Sequence, residues 1–282
     1  MQNVIAVVFD FDDTLAPDST SGFLHDAGVD TRRFWQERVR PLMEAGWDPV
    51  PAYLRTMILE SDARPRDRRF TDRRLRDWGA RIRPYNGVAR IFNQLRAQAQ
   101  AVAPDILVEF YLVSSGIGEI LRATRIARQF TDIWACDFHC RDDGSIEYPR
   151  NIVSFTDKTR YLFHIAKGII GPDSRRRPFE VNRKLDRAQL RVPMDQMIFV
   201  GDGYTDIPCF SLIQKSGGIA LGVYDAADRE RWGRAWGFIT EGRVANLHPA
   251  DYGKRSGLRI SLLMAVEHIA KRIALRRQTY QG

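Results

Sequence analysis

Short, continuously apolar runs alternate along the chain with stretches in which apolar residues return every three or four positions. Residues 4–9, VIAVVF, are wholly apolar and rich in β-branched side chains, as in a strand covered on both faces. Comparable runs occupy 106–115 (ILVEFYLVSS), 133–138 (IWACDF), 197–202 (MIFVGD) and 217–223 (GGIALGV). Helical periodicity fills most of the intervals, as in VARIFNQLRAQAQ before the second run and DKTRYLFHIAKG before the fourth. Strands alternating with helices predict an α/β fold, a doubly wound parallel sheet with a Rossmann-like core.

Residues 17–86 break this alternation. They hold several helical patterns and no strand, and they are bracketed by Pro17 on one side and by Pro84 and Gly87 on the other. The pattern predicts an all-helical cap over residues 17–86, hanging above the carboxyl end of the first strand, with residues 1–16 and 87–282 forming the core. Residues 171–193 are polar, basic and weakly periodic, and are expected to form a surface excursion. The last stretch, from Ser256, reads as a helix with a serine N-cap and arginines in its final turn, packed on the sheet, with a dimer contact as the alternative.

With 282 residues the chain has room for one large domain or two modest ones. No apolar stretch approaches the roughly 20 residues of a membrane span. The first strand begins without a secretory pattern ahead of it, so a cytoplasmic location is expected. Three cysteines, Cys136, Cys140 and Cys209, argue against a disulfide framework, and CDFHC (136–140) lacks the spacing and second ligand pair of a zinc site. The net charge of +8 concentrates in residues 61–84, where nine arginines stand against four aspartates. Such a patch suits phosphorylated or nucleic-acid partners. However, Leu75, Trp78 and Ile82 recur at helical spacing, which makes the arginines the solvent face of an amphipathic helix with the aspartates as partners. A nucleic-acid-associated protein using this basic face is the alternative class, and the mixed Arg/Asp pattern argues against it.

The first apolar run ends in DFDDTLAPD, which places Asp10, Asp12, Asp13 and Asp18 after a buried strand. In open parallel sheets, ligands bind outside the carboxyl ends of the strands. Carboxylates two residues apart repel unless a cation lies between them, and Mg²⁺ suits a few carboxylate oxygens plus water. Asp is also common in turns and helix caps, and that reading serves for Asp13 and Asp18. The run at 197 ends in GDGYTD, with Asp202 at the strand end and Asp206 four residues on. If that strand neighbours the first, Asp202 completes the cation site begun by Asp10 and Asp12. FYLVSSG puts Ser114 and Ser115 where hydroxyls and backbone N–H groups reach a phosphate. In SFTDKTRYLF, Thr156 reads as an N-cap, so Lys158 falls in a first helical turn whose dipole opposes its charge, a place an anion would favour.

In chain order, DFDDT (Asp10, Asp12, Thr14), Ser114, Lys158 and GDGYTD (Asp202, Asp206) resemble the haloacid dehalogenase-like superfamily, in its phosphatase branch with a helical cap after the first motif. The resemblance spans roughly residues 4–16 and 87–225. It implies that Asp10 is the nucleophile that becomes an aspartyl phosphate, and that Asp12 is the general acid and then the base. It further implies Mg²⁺ held by Asp10, the backbone carbonyl of Asp12, and Asp202. Ser114 and the Ser115 N–H would bind phosphoryl oxygens, Lys158 would neutralise charge, and Asp206 would orient Lys158 or a metal-bound water. Dehalogenases of the superfamily lack the second aspartate, so Asp12 points away from them. The implied activity is Mg²⁺-dependent hydrolysis of a small phosphomonoester. Phosphoserine phosphatase is the nearest specific look-alike, but its pattern has a glutamate where this chain has Ser19 beside Asp18.

Overall fold

The computed structural model describes residues 2–226, 237 and 241–279. The buried run at the start forms β1 (Val4–Phe9). Helices α1 (Ser19–Asp26) and α2 (Thr31–Arg33), a π-helical stretch Phe34–Val39, and helices α3 (Arg40–Glu44), α4 (Pro49–Asp62) and α5 (Asp72–Arg81) follow without a strand among them. Then come α6 (Val88–Val102), β2 (Leu107–Ile117), α7 (Gly118–Ala123), β3 (Asp132–Cys140), β4 (Ile146–Asn151), α8 (Phe155–Lys167) and α9 (Pro172–Arg176). The chain continues through β5 (Met197–Gly201), α10 (Ile207–Lys215), β6 (Ile219–Tyr224), β7 (Asn246–Pro249) and α11 (Gly257–Thr279).

The strands make one seven-stranded sheet in the order β4-β3-β2-β1-β5-β6-β7. Every pairing is parallel except β3 with β4. All six residues of β1 are buried, as a central parallel strand covered on both faces requires. Alternate residues of β2 feed the two layers. Phe110 meets Phe92 of α6 edge to face at 4.9 Å, while Tyr111 stacks on Trp134 of β3, which in turn stacks on Tyr161 of α8. On the α8 side, Phe199 of β5 packs edge-on against Phe210 of α10. Helix α11 buries Leu258, Leu262, Val266, Ile269 and Ile273, and its start is capped by the Ser256 hydroxyl, which accepts the Arg259 N–H at 3.2 Å.

All five expected strands form. Strands β4 and β7 were not legible as strands because they carry Pro149 and Pro249 and lack an apolar run, features that only an edge strand tolerates. Strand β2 runs on to Ile117, so its serines lie inside the strand and the helix begins at Gly118. Helix α8 is capped by Ser154, in a capping box with Asp157, rather than by Thr156. Lys158 therefore sits at the end of the first turn. Residues 171–193 form α9 and two short 3₁₀ turns and are largely exposed.

The helical stretch between β1 and α6 leaves and returns at one point. The Tyr85 N–H donates to the Leu15 carbonyl at 2.8 Å, and the Tyr252 hydroxyl donates to the Thr14 carbonyl at 3.0 Å. Its arginines follow the amphipathic reading: Arg73 pairs with Asp77, Arg76 with Asp72 and Arg81 with Asp26, while Leu75 is buried. Gly87 closes the junction at φ +82°, where an added Cβ would lie 2.1 Å from the Tyr252 carbonyl oxygen. Gly87→Ala is therefore expected to cost about 2 kcal/mol or more of stability, read from urea unfolding. A change below about 0.5 kcal/mol would contradict this packing.

Candidate active site

Parallel pairing decides which side chains meet. Phe9 lies opposite Leu112 of β2 and Val200 of β5, so Asp10, Ser114 and Asp202 emerge together at the carboxyl edge of three adjacent strands. The chain leaves β1 for β2 on one side and reaches β5 on the other, which makes this edge the topological switch point. The Asp10 N–H donates to the Val200 carbonyl at 2.9 Å, extending the β1–β5 ladder by one residue. The Asp10 Oδ1 accepts the Phe11 N–H at 2.7 Å.

Lys158 reaches this edge from α8 and is completely buried. Its Nζ donates to Asp10 Oδ2 at 2.7 Å, to Asp206 Oδ1 at 2.7 Å and to Thr205 Oγ1 at 3.1 Å. An ammonium has three N–H bonds, and all three find acceptors here. Burial opposes the lysine charge, but Asp10 and Asp206 more than offset it and raise the Lys158 pKa above that of a free lysine. Asp206 is pushed up to about 6, with burial outweighing the attraction of Lys158. Its other oxygen accepts the Gly203 N–H at 3.1 Å. Gly201 makes room for it, since a Cβ there would lie 2.4 Å from Asp206 Oδ2. Burial, then the charges of Asp206, Asp10 and Asp13, hold Asp202 well above the usual carboxylate range. Oxygens of Asp10, Asp202 and Asp206 lie within 4.8 Å of one another.

The Asp12 side chain turns the other way. Its Oδ1 accepts the N–H of Ser19, the first residue of α1, at 2.7 Å. Burial and the nearby charge of Asp18 push its carboxyl well above the ordinary range, which favours the protonated form. Ser114 lies beside it: a Cβ on Gly116 would come within 2.7 Å of Asp12 Oδ2 and 3.3 Å of Ser114 Oγ. The Ser114 hydroxyl accepts the Gly116 N–H at 3.1 Å. Ser115 points its hydroxyl into the interior, where it finds no partner, while its carbonyl accepts the Tyr53 hydroxyl of α4 at 2.5 Å. Asp18 is the N-cap of α1 and accepts both the N–H and the hydroxyl of Ser21.

Of the residues singled out in the sequence, the buried Asp10, Lys158 and Asp206 and the half-buried Asp202 therefore form one cluster, and Asp12 and Ser114 lie beside it. The acidic group consists of Asp10, Asp202 and Asp206, with the Asp12 carboxylate held away by α1. Among the described residues, no other set of His, Cys, Asp or Glu converges closely enough to hold a metal, CDFHC included. Thr205, Tyr53 and the Ser19 N–H were not anticipated. Thr205 carried a signal in its place beside Asp206, whereas the other two come from helices that local sequence does not align with the site.

No protein-family model matches the chain. It is 26% identical over 293 residues to an uncharacterized protein of Borreliella burgdorferi, covering 91% of this chain and 94% of that one. Among solved structures it is similar to a HAD-family hydrolase from Salmonella enterica serovar Typhi, with a TM-score of 0.61, 14% identity, and 93% of this chain and 71% of that chain covered. It is also similar to a substrate-bound phosphoserine phosphatase complex, with a TM-score of 0.55, 15% identity, and coverage of 93% and 98%. A phospho-aspartyl intermediate analogue of phosphoserine phosphatase gives a TM-score of 0.54 at 15% identity, over 92% and 98% of the two chains. The fold of this chain is thus that of haloacid dehalogenase-like hydrolases, in the form seen in phosphoserine phosphatases.

Proposed function

We propose that this protein is a Mg²⁺-dependent phosphatase that hydrolyses a small phosphomonoester through an aspartyl phosphate on Asp10. The observation that carries the reading is the buried Lys158 ammonium, shared between Asp10 Oδ2 and Asp206 Oδ1 at 2.7 Å each. An anionic nucleophile meets an anionic substrate only where fixed positive charge offsets their repulsion, and phosphoryl transfer depends on positioning and on such charge.

The carboxylates fit a hard divalent cation. Three lie within 4.8 Å of one another and two of them share the single lysine, and every donor is oxygen, as Mg²⁺ prefers. Asp10, Asp202 and the backbone carbonyl of Asp12 would hold it, with Asp206 behind them fixing Lys158. When bound, Mg²⁺ neutralises charge on the phosphoryl oxygens.

An Asp10 oxygen attacks phosphorus, the ester P–O bond breaks, and the leaving alkoxide takes a proton from Asp12, whose raised pKa suits it to carry one. Asp12 then accepts a proton from the water that attacks the aspartyl phosphate, and inorganic phosphate leaves. The Ser114 hydroxyl and the Ser115 N–H hold phosphoryl oxygens. Residues 17–86 act as the cap, and α1 sets the acid by donating the Ser19 N–H to Asp12. Phosphoserine itself is a poor fit, because Ser19 stands at the glutamate position and both Asp18 oxygens are taken by Ser21.

Phosphate release across a panel of phosphomonoesters is expected to require Mg²⁺ and to fall on the order of 10³-fold or more in Asp10→Asn. Turnover that survives in that variant would overturn Asp10 as nucleophile. Mg²⁺ is also expected to raise the thermal unfolding midpoint by a few degrees, equivalent to about 1–3 kcal/mol of binding energy. Cation binding needs deprotonated carboxylates. In the metal-free protein, Asp202 and Asp206 bind protons more tightly folded than unfolded, and the Asp206 contribution to stability is present below about pH 4 and is lost as pH rises through about 6. The Mg²⁺ increment should accordingly be larger at neutral pH than in mild acid, and should vanish in Asp202→Asn. Equal increments in wild type and variant would remove Asp202 from the site.

A further inference from the structure

We propose that a second pocket, between β3 and α8, binds a small organic phosphate carrying at least two negative charges. The cavity measures about 500 Å³, within the range of nucleotide-sized ligand sites. None of Asp10, Asp12, Ser114, Lys158 or Asp202 lines it. Four arginines do: Arg122 at the end of α7, Arg150 on β4, Arg160 on α8 and Arg175 on α9. Among the described residues Asp137 is the one carboxylate in the lining, and it is already held by Arg122 through two bonds of 2.6 and 3.2 Å. Arg160 reaches Asp157 only at 3.7 Å and donates to the Tyr161 hydroxyl at 2.8 Å, Arg175 donates to the Ile133 carbonyl at 3.4 Å, and among the described residues no ion pair forms at Arg150 or Arg175.

Asp137 offsets Arg122, which leaves Arg150, Arg160 and Arg175, from three separate elements, as an excess of positive charge in the lining. The Nε atoms of Arg122 and Arg160 are buried and find no acceptor within the protein. Burying such donors is costly unless an acceptor arrives. Guanidinium forks match phosphate oxygens two bonds at a time, and several of them select a ligand of more than one charge. The back wall is rigid and apolar. Trp134 is stacked between Tyr111 and Tyr161, and its indole N–H donates to the Ser174 hydroxyl at 3.2 Å. Both ring faces are taken, so the ligand's organic part meets the ring edge, Ala135 and Pro178.

The test is calorimetric titration of the full chain in chelator with ADP, pyrophosphate and citrate, repeated on the double variant Arg150→Ala/Arg175→Ala. Both arginines are exposed, so the fold is retained, and hydrolysis of a generic chromogenic phosphate ester should be unchanged. The expected result is binding of ADP and pyrophosphate that persists in Asp10→Asn, weakens tenfold or more in the double variant, and falls with salt. Three results would overturn the proposal: no binding of either phosphate, citrate binding as tightly as ADP, or a double variant that binds like wild type. Because binding is read without turnover, the outcome does not depend on the proposed phosphatase activity.

Discussion

A lysine ammonium with no exposure to water organises this molecule. Moving such a charge out of solvent costs several kcal/mol, and the cost is offset only if the geometry around it is complete. Lys158 meets that condition with three acceptors from two loops, Asp10 after β1 and Thr205 with Asp206 after β5. Helix α8 must therefore lie against the carboxyl edge of β1 and β5, and those two strands must be neighbours. The glycine at 201 belongs to the same constraint, since any side chain there would displace Asp206. Removing either aspartate would leave one N–H of the buried ammonium without its acceptor and only one carboxylate to offset its charge.

The same arrangement explains how two carboxylates separated by one residue acquire different surroundings. Asp10 points into the cluster, toward Lys158, and stands with Asp202 and Asp206 in a field that one lysine does not balance. Asp12 points out to α1, where burial and the neighbouring Asp18 favour a carboxyl that keeps its proton and outweigh the Ser19 N–H, which on its own favours the carboxylate. Phe11 between them is fully buried and fixes the divergence. One side of the loop thus faces a buried cation and the other faces the helical segment, which supplies the Ser19 N–H.

Much of this was legible in the sequence, for physical reasons that differ from element to element. The central strands announce themselves because both of their faces are buried, which demands an unbroken apolar run; VIAVVF became β1 residue for residue. The edge strands β4 and β7 escape detection because each has an unpaired side that tolerates proline and polar residues. The cap of α8 was misplaced by two residues, since Ser154 and Thr156 are both competent caps and only the Asp157 bond back to Ser154 separates them. In GDGYTD the two aspartates stand out, but that Thr205 is Lys158's third acceptor depends on a contact across 47 residues of chain. That Asp12 leaves the acidic cluster depends on α1, whose approach no local pattern encodes.

The central claim is that Asp10 is the atom-bearing residue of the reaction, with Lys158 and the neighbouring carboxylates arranged around it. The most direct measurement is to quench the protein during turnover of its best phosphomonoester, reduce the acyl phosphate with borohydride, and map the product by peptide mass spectrometry. The account predicts homoserine at position 10, with Asp12, Asp202 and Asp206 unmodified. Reduction at another carboxylate, or an unmodified Asp10 under conditions where the phosphorylated enzyme accumulates, would contradict it.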